Sequence, residues 1–178
     1  MSFDYEPPST KITSRPYKSS GQNNTNMNVF DAQMTDAKMV FHATGQQTGL
    51  NCLVTEIRWP PNNVTRPHIH ELEDESFYIL DGSITVKVGP PDQEREELHG
   101  TKGEFIWAPR QHWHEVNVGP EGAHVVVFQT PGSHLTQYFI LVGNEVGDLK
   151  GEGEFERFNE YSRENYGIRF WAGEPAKA

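Results

Sequence analysis

Residues 66–82 read RPHIHELEDESFYILDG: two histidines two apart, four carboxylates within the next five positions, then an apolar run that follows without a break. On an extended strand alternate side chains share a face, so His68 and His70 can direct ring nitrogens at one point. Glu75 follows at the opposite parity, and the chain between Glu71 and Asp74 has to turn or bulge before the next strand can carry that carboxylate back toward the same point. With Gly82 the spacing is HxHx4Ex6G. Glu71, Glu73 and Asp74 read as solvated residues of the turn. The stretch YILDGSITVKV, residues 78–88, reads as a β-hairpin with Asp81 and Gly82 at the two positive-φ positions of a tight turn. After it Ile84, Val86 and Val88 alternate with Ser83, Thr85 and Lys87, which gives one buried face and one wet face.

A second segment, GEFIWAPRQHWHEVN, residues 103–117, adds a third imidazole, His114, on another strand. Three neutral imidazoles and a carboxylate satisfy most of the coordination of one divalent transition metal ion and leave positions open for water, dioxygen or a chelating substrate. That is the form of a catalytic site and not of a closed structural one. The donor set suits iron, copper, nickel, manganese, cobalt or zinc and does not choose among them. His112 shares strand parity with His114, so it lines the same cavity or stands exposed in the turn after Pro109. Phe128 and Tyr138 are candidates for a substrate pocket, as are Trp107, Trp113 and Phe139, although aromatics supply much of any barrel core and most of these five read as core. His42, His99, His124 and His134 have no evident partner and read as surface or structural histidines.

Outward from these motifs, MVFHAT, NCLVTEIRW, VTRPHIH, SFYIL, SITVKV, EFIWA, HWHEVNV, AHVVVFQ and LTQYFIL are short β-prone runs divided by Gly, Pro, Asn and Asp. That is the pattern of an all-β sandwich or barrel. Residues 1–28, rich in Pro, Ser, Thr and Asn, form a polar arm that cannot build a core of its own. The barrel occupies residues 29–142. In the tail, residues 143–178, Phe155, Phe158 and Tyr161 recur three apart, which suits an amphipathic helix ended at Gly167.

Composition narrows the function. A net charge of −10 over 178 residues, with no Lys/Arg cluster, argues against a nucleic-acid partner. No apolar run approaches the length of a membrane span or of a signal-peptide core, so the reading is a soluble, cytoplasmic protein with no membrane partner. The single cysteine, Cys52, cannot form an internal disulfide, which fits a reducing compartment.

With these residues in hand, the sequence resembles the cupin superfamily over roughly residues 39–142. The first motif matches at His68, His70, Glu75 and Gly82, and the second at Gly103, Pro109 and His114. Two positions depart: Gln111 stands where the family has glycine, and Asn117 comes one residue before the family's asparagine. Both bear on the shape of a turn and not on the ligands. PPNNVTRPHIHELEDESFYILDG, TPGSHLTQYF and YSRENYGIRFWAGEP are similar to the quercetin 2,3-dioxygenase-like single-domain cupins. The resemblance implies a double-stranded β-helix, or jelly-roll, barrel with a short C-terminal helix, commonly a homodimer, with the ion inside the barrel mouth. It also implies a metal-dependent dioxygenase acting on a small oxygen-rich molecule such as an enol, a phenol or a polyketide. His68, His70 and His114 would then hold the ion, and Glu75 would take the substrate's proton as general base. The same constellation serves a non-oxidative lyase, isomerase, cyclase or decarboxylase, and the same barrel can bind a ligand without turnover.

Overall fold

The structure is a computed structural model that describes residues 18, 29–32, 37–132, 135–139 and 153–171. Apart from Lys18 the expected N-terminal arm lies outside the described residues, as do His134 and the junction near residue 143. The strands are β1 (Val29–Ala32), β2 (Ala37–Ala43), β3 (Leu53–Trp59), β4 (His68–His70), β5 (Asp74–Gly89), β6 (Glu96–Thr101), β7 (Phe105–Ala108), β8 (Trp113–Thr130) and β9 (Ile168–Phe170). The helices are α1 (Gly45–Thr48), α2 (residues 135–139) and α3 (Glu154–Tyr166). The fold is all-β, a jelly-roll barrel with a short C-terminal helix, as the sequence predicts.

Two long strands organise it. β5 and β8 run antiparallel from Asp74↔Thr130 to Gly89↔Trp113 as one ribbon. The first half of β5 and the second half of β8 belong to one layer, flanked by β7 on one side and by β3, β2 and β1 on the other. The remaining halves belong to the second layer, flanked by β6 and by β4 and β9. Residues from both layers, among them Met39, Ile57, Phe77, Ile79, Val86 and Val116, close into one core. The alternation read in the sequence holds, with Ile84, Val86 and Val88 buried.

The expected hairpin at Asp81–Gly82 is not formed. β5 passes through both residues without reversing, and the register shifts between Ile79 and Asp81 and again between Gly82 and Ile84. Only Gly82 takes a positive φ, +73°. At the first shift the extra residue is Leu80 on β5; at the second the extra residues are on β8, where Gly119–Gly122 bulges out between Val118↔Ile84 and Ala123↔Gly82. This bulge bends the ribbon from one layer into the other. A Cβ on Gly82 would lie 2.1 Å from the Gly122 carbonyl oxygen, so close approach as well as φ requires glycine there.

LTQYFIL, expected as a strand, is helical over residues 135–139; Leu135 and Tyr138 enter a second apolar cluster with Phe41, Leu53, Tyr166, Ile168 and Phe170. α3 matches its expectation, with Gly167 at φ +65° closing it and donating its N–H to the Arg163 carbonyl. The chain then forms β9, which the sequence reading does not anticipate. β9 pairs with β4, and the Asn159 side chain of α3 both donates to and accepts from the Phe170 backbone along the other edge of β9.

Candidate metal centre

The site lies between the two layers. β4 brings His68 and His70, β8 brings His114 directly opposite His68, and β5 brings Glu75 from the facing layer. One ligand atom from each of His68, His70, Glu75 and His114 lies within 4.8 Å of the others, so the four predicted ligands do converge. The bend expected between Glu71 and Asp74 is present.

Two of the three imidazoles are held from behind. His68 Nδ1 lies 2.8 Å from the Arg66 carbonyl oxygen and His114 Nδ1 lies 3.2 Å from that of His112. A carbonyl only accepts, so both rings carry a proton on Nδ1 and turn Nε2 inward, where His114 Nε2 meets Glu75 and a bound ion would take the place of any proton on Nε2. His114 Nε2 is 3.1 Å and His70 Nε2 is 3.8 Å from Glu75 Oε2. The other oxygen of Glu75 accepts a 2.6 Å hydrogen bond from Gln129 Nε2. Inward ring nitrogens gathered around one carboxylate, with the outer nitrogens of His68 and His114 anchored, are an arrangement that suits a divalent ion, and the donors fit it.

The electrostatics agree. Burial disfavours the charged form of Glu75, yet the hydrogen bond from His114 and the neighbouring His70, His114 and His68 outweigh it and hold the carboxyl at about 2. Glu75 is thus an anion across the neutral range. Burial, with His114 and His70 nearby, pushes His68 well below the usual imidazole value. For His70 burial acts in the same direction, but Glu73 and Glu75 overcome it and the imidazole is raised.

Several expected roles change. Glu73 is not solvated: it is 0% exposed, and its Oε2 faces His70 Nδ1 at 3.7 Å. Asp74 is bound by Arg110, whose backbone N–H and guanidinium donate to it at 2.9 and 3.0 Å, and Glu71 lies 3.4 Å from Arg163 Nε. His112 contributes its carbonyl to the site, while its own Nδ1 turns to the Arg110 carbonyl in the turn before β8. Phe128 does not line the site. Strand alternation sends it to the outer face, 38% exposed, while Gln129 points in. Trp107, 53% exposed, shares that outer face, and Trp113 stacks edge-on against Trp171. Tyr138 is buried among Phe139, Phe158 and Tyr166 in the second cluster. His42 and His124 do have a partner, binding the two oxygens of Glu56 at 2.9 and 2.7 Å.

Gln111 keeps the turn that glycine makes in the family. It sits at φ +63° and donates its N–H to the His70 carbonyl at 2.8 Å. Gln129 and Glu73 are the residues missed from sequence. The signal for Gln129 was its parity with Val125 and Val127, a polar side chain at an inward position.

Residues 55–128 match the family model described as Cupin domain, and all four ligands fall within that span. The chain contains a cupin domain. No protein of curated function matches the sequence. Among solved structures, the cupin resembles the polyketide cyclase RemF from Streptomyces resistomycificus at 22% identity and TM-score 0.49, over 65% of this chain and 82% of that one. It resembles KdgF from Halomonas sp. at 19% identity and TM-score 0.46, over 53% and 78%. A recombinant oxalate oxidase in complex with glycolate follows at 21% identity and TM-score 0.47, over 53% of this chain and half of that one. Likenesses of this size do not bear on the chemistry of this cupin.

Proposed function

We propose that this cupin is a metal-dependent oxygenase, a quercetinase-like dioxygenase, acting on a small oxygen-rich molecule such as an enol, a phenol or a polyketide. The observation that carries the reading is the convergence of His68, His70, His114 and Glu75 with the outer ring atoms of His68 and His114 anchored on carbonyls. The three histidines and Glu75 would hold one divalent ion. When bound, that ion supplies Lewis acidity toward a substrate oxygen and a route to dioxygen chemistry. Glu75, ionised and fixed through Oε1 by Gln129, accepts the proton of the substrate hydroxyl at Oε2. Phe170, buried on the β4–β9 wall 5.7 Å from the His68 ring, keeps bulk water away from that histidine.

The test is oxygen uptake by the metal-loaded protein against flavonols, phenols and polyketide enols, with quercetin as the first probe. Uptake in proportion to substrate consumed, lost in His114→Ala, is the expected result. Turnover without uptake would replace the oxygenase with a lyase, isomerase, cyclase or decarboxylase that uses Glu75 to move protons. Ligand binding without turnover, unchanged in His68→Ala, would leave only a binding protein.

Three further elements belong to this proposal: a barrel spanning residues 29–142, cytoplasmic residence, and a homodimer. The lone Cys52 supports a reducing compartment. The dimer is supported by β1 and β6, each paired on one side only among the described strands. Among the described residues no helix is long and apolar enough to cross a membrane.

A further inference from the structure

His68 and His114 each rest an outer nitrogen on a backbone carbonyl, a neutral acceptor, but His70 does not. Behind His70 stands Glu73. Its carboxylate is wholly buried, both oxygens lack a hydrogen-bond partner, and so does His70 Nδ1, 3.7 Å away. Leaving a buried carboxylate unpaired is costly, and a hydrophobic residue at this position would pack without that penalty. The two unsatisfied groups face each other just beyond hydrogen-bond distance, so a small rotation of the ring satisfies both.

Charge gives an independent reason. A divalent ion among three neutral imidazoles brings two positive charges into a buried place, and Glu75 offsets one of them. Asp74 is already engaged by Arg110. Glu73 is the remaining buried carboxylate beside the four ligands.

We propose that Glu73 is a positioning residue of the metal centre: it accepts a hydrogen bond from His70 Nδ1–H, fixes the ring with Nε2 toward the ion, and neutralises the second positive charge. This rests on the four-residue site binding a metal, as read above. A carboxylate hydrogen-bonded to the far nitrogen of a ligating histidine makes that histidine a stronger donor, and losing such a partner typically costs roughly 10–100-fold in metal affinity.

The experiment uses the full chain and Co2+ alone, which reports its ligand geometry in the visible spectrum. The wild-type protein, Glu73→Gln and Glu71→Gln are titrated with Co2+, and the metal-free forms are melted in parallel. Glu71→Gln removes the same charge from the half-buried position that faces Arg163, and serves as the charge control. The expected result is Co2+ affinity roughly 10–100-fold weaker in Glu73→Gln, with an altered spectrum; Glu71→Gln stays within about twofold of wild type. A residue present only for folding would give the reverse, lower melting with unchanged affinity. Equal affinity and spectrum in Glu73→Gln would overturn the proposal. A wild-type protein that takes up no Co2+ would remove the metal reading and this inference with it. Nitrogen NMR of the Zn2+-loaded wild type needs no variant: His70 bound through Nε2, with a hydrogen-bonded Nδ1 proton, supports the assignment, and His70 bound through Nδ1 refutes it.

Discussion

The three imidazoles of the site are not equivalent, and the difference sets how the protein answers to pH. His68 is pushed well below the usual imidazole value and offers its nitrogen without competition from protons. His70, against burial, is raised by Glu73 and Glu75, so in the metal-free protein it takes up a proton at a pH above 6.5. An ion has to displace that proton. Apparent metal affinity should therefore fall as pH drops through the raised pKa of His70, which lies on the high side of the ordinary imidazole value, with about one proton released per ion bound. Calorimetric titrations in buffers of different ionisation enthalpy count the protons directly. For the metal-free fold the sign is opposite: a raised imidazole contributes stability that is complete below its unfolded pKa and is lost as pH rises through the folded one. His68 and His70 were legible in the sequence from strand parity, and Glu75 and His114 from the motif spacing of the family that the sequence resembles. Glu73 and Gln129 were not. Glu73 stands in an irregular bend where parity says nothing, and Gln129 closes the run AHVVVFQ, apolar on both faces, so its parity with Val125 and Val127 marks it only once the inward face is known.

At the scale of elements the least legible feature was the bend at Gly82. An Asp-Gly pair between alternating apolar residues is a strong short-range hairpin signal, but local sequence does not reveal that β8 is long enough to pair with both sides of it. Tertiary pairing then uses the glycine as a corner and not as a reversal. Gly82→Ala should lower stability by about 3 kcal/mol, combining a left-handed φ with the collision against the Gly122 carbonyl. Urea unfolding measures this as a lower midpoint at unchanged slope. The helix α3 was legible for the opposite reason, since its apolar spacing and terminal glycine are local features. LTQYFIL was misread because short apolar runs of this kind do not distinguish strand from buried helix by periodicity.

For the whole molecule, the tail and the barrel are one structure. Phe170 packs 5.7 Å from the His68 ring on one side and 5.7 Å from Phe158 of α3 on the other. Phe170→Ala should destabilise the protein by about 3 kcal/mol and speed metal loss to a chelator, because the cavity it leaves opens on a ligand. Denaturant titration and a chelator chase followed by stopped flow separate the two effects. The all-β class and the barrel were legible from short runs and breakers, whereas the return of the tail as β9 was not, since three residues carry too little pattern to read.

The pairing of β4 with β9 continues past the strands, with the Glu71 N–H bonded to the Gly167 carbonyl and the Trp171 N–H to that of Pro67. On the ribosome Ile168–Phe170 emerges long after His68–His70, so the wall behind two of the donors is missing while the polypeptide is still being made. An ion bound as proposed would therefore find its site walled only after β9 has been made and paired, so loading would follow synthesis of that strand.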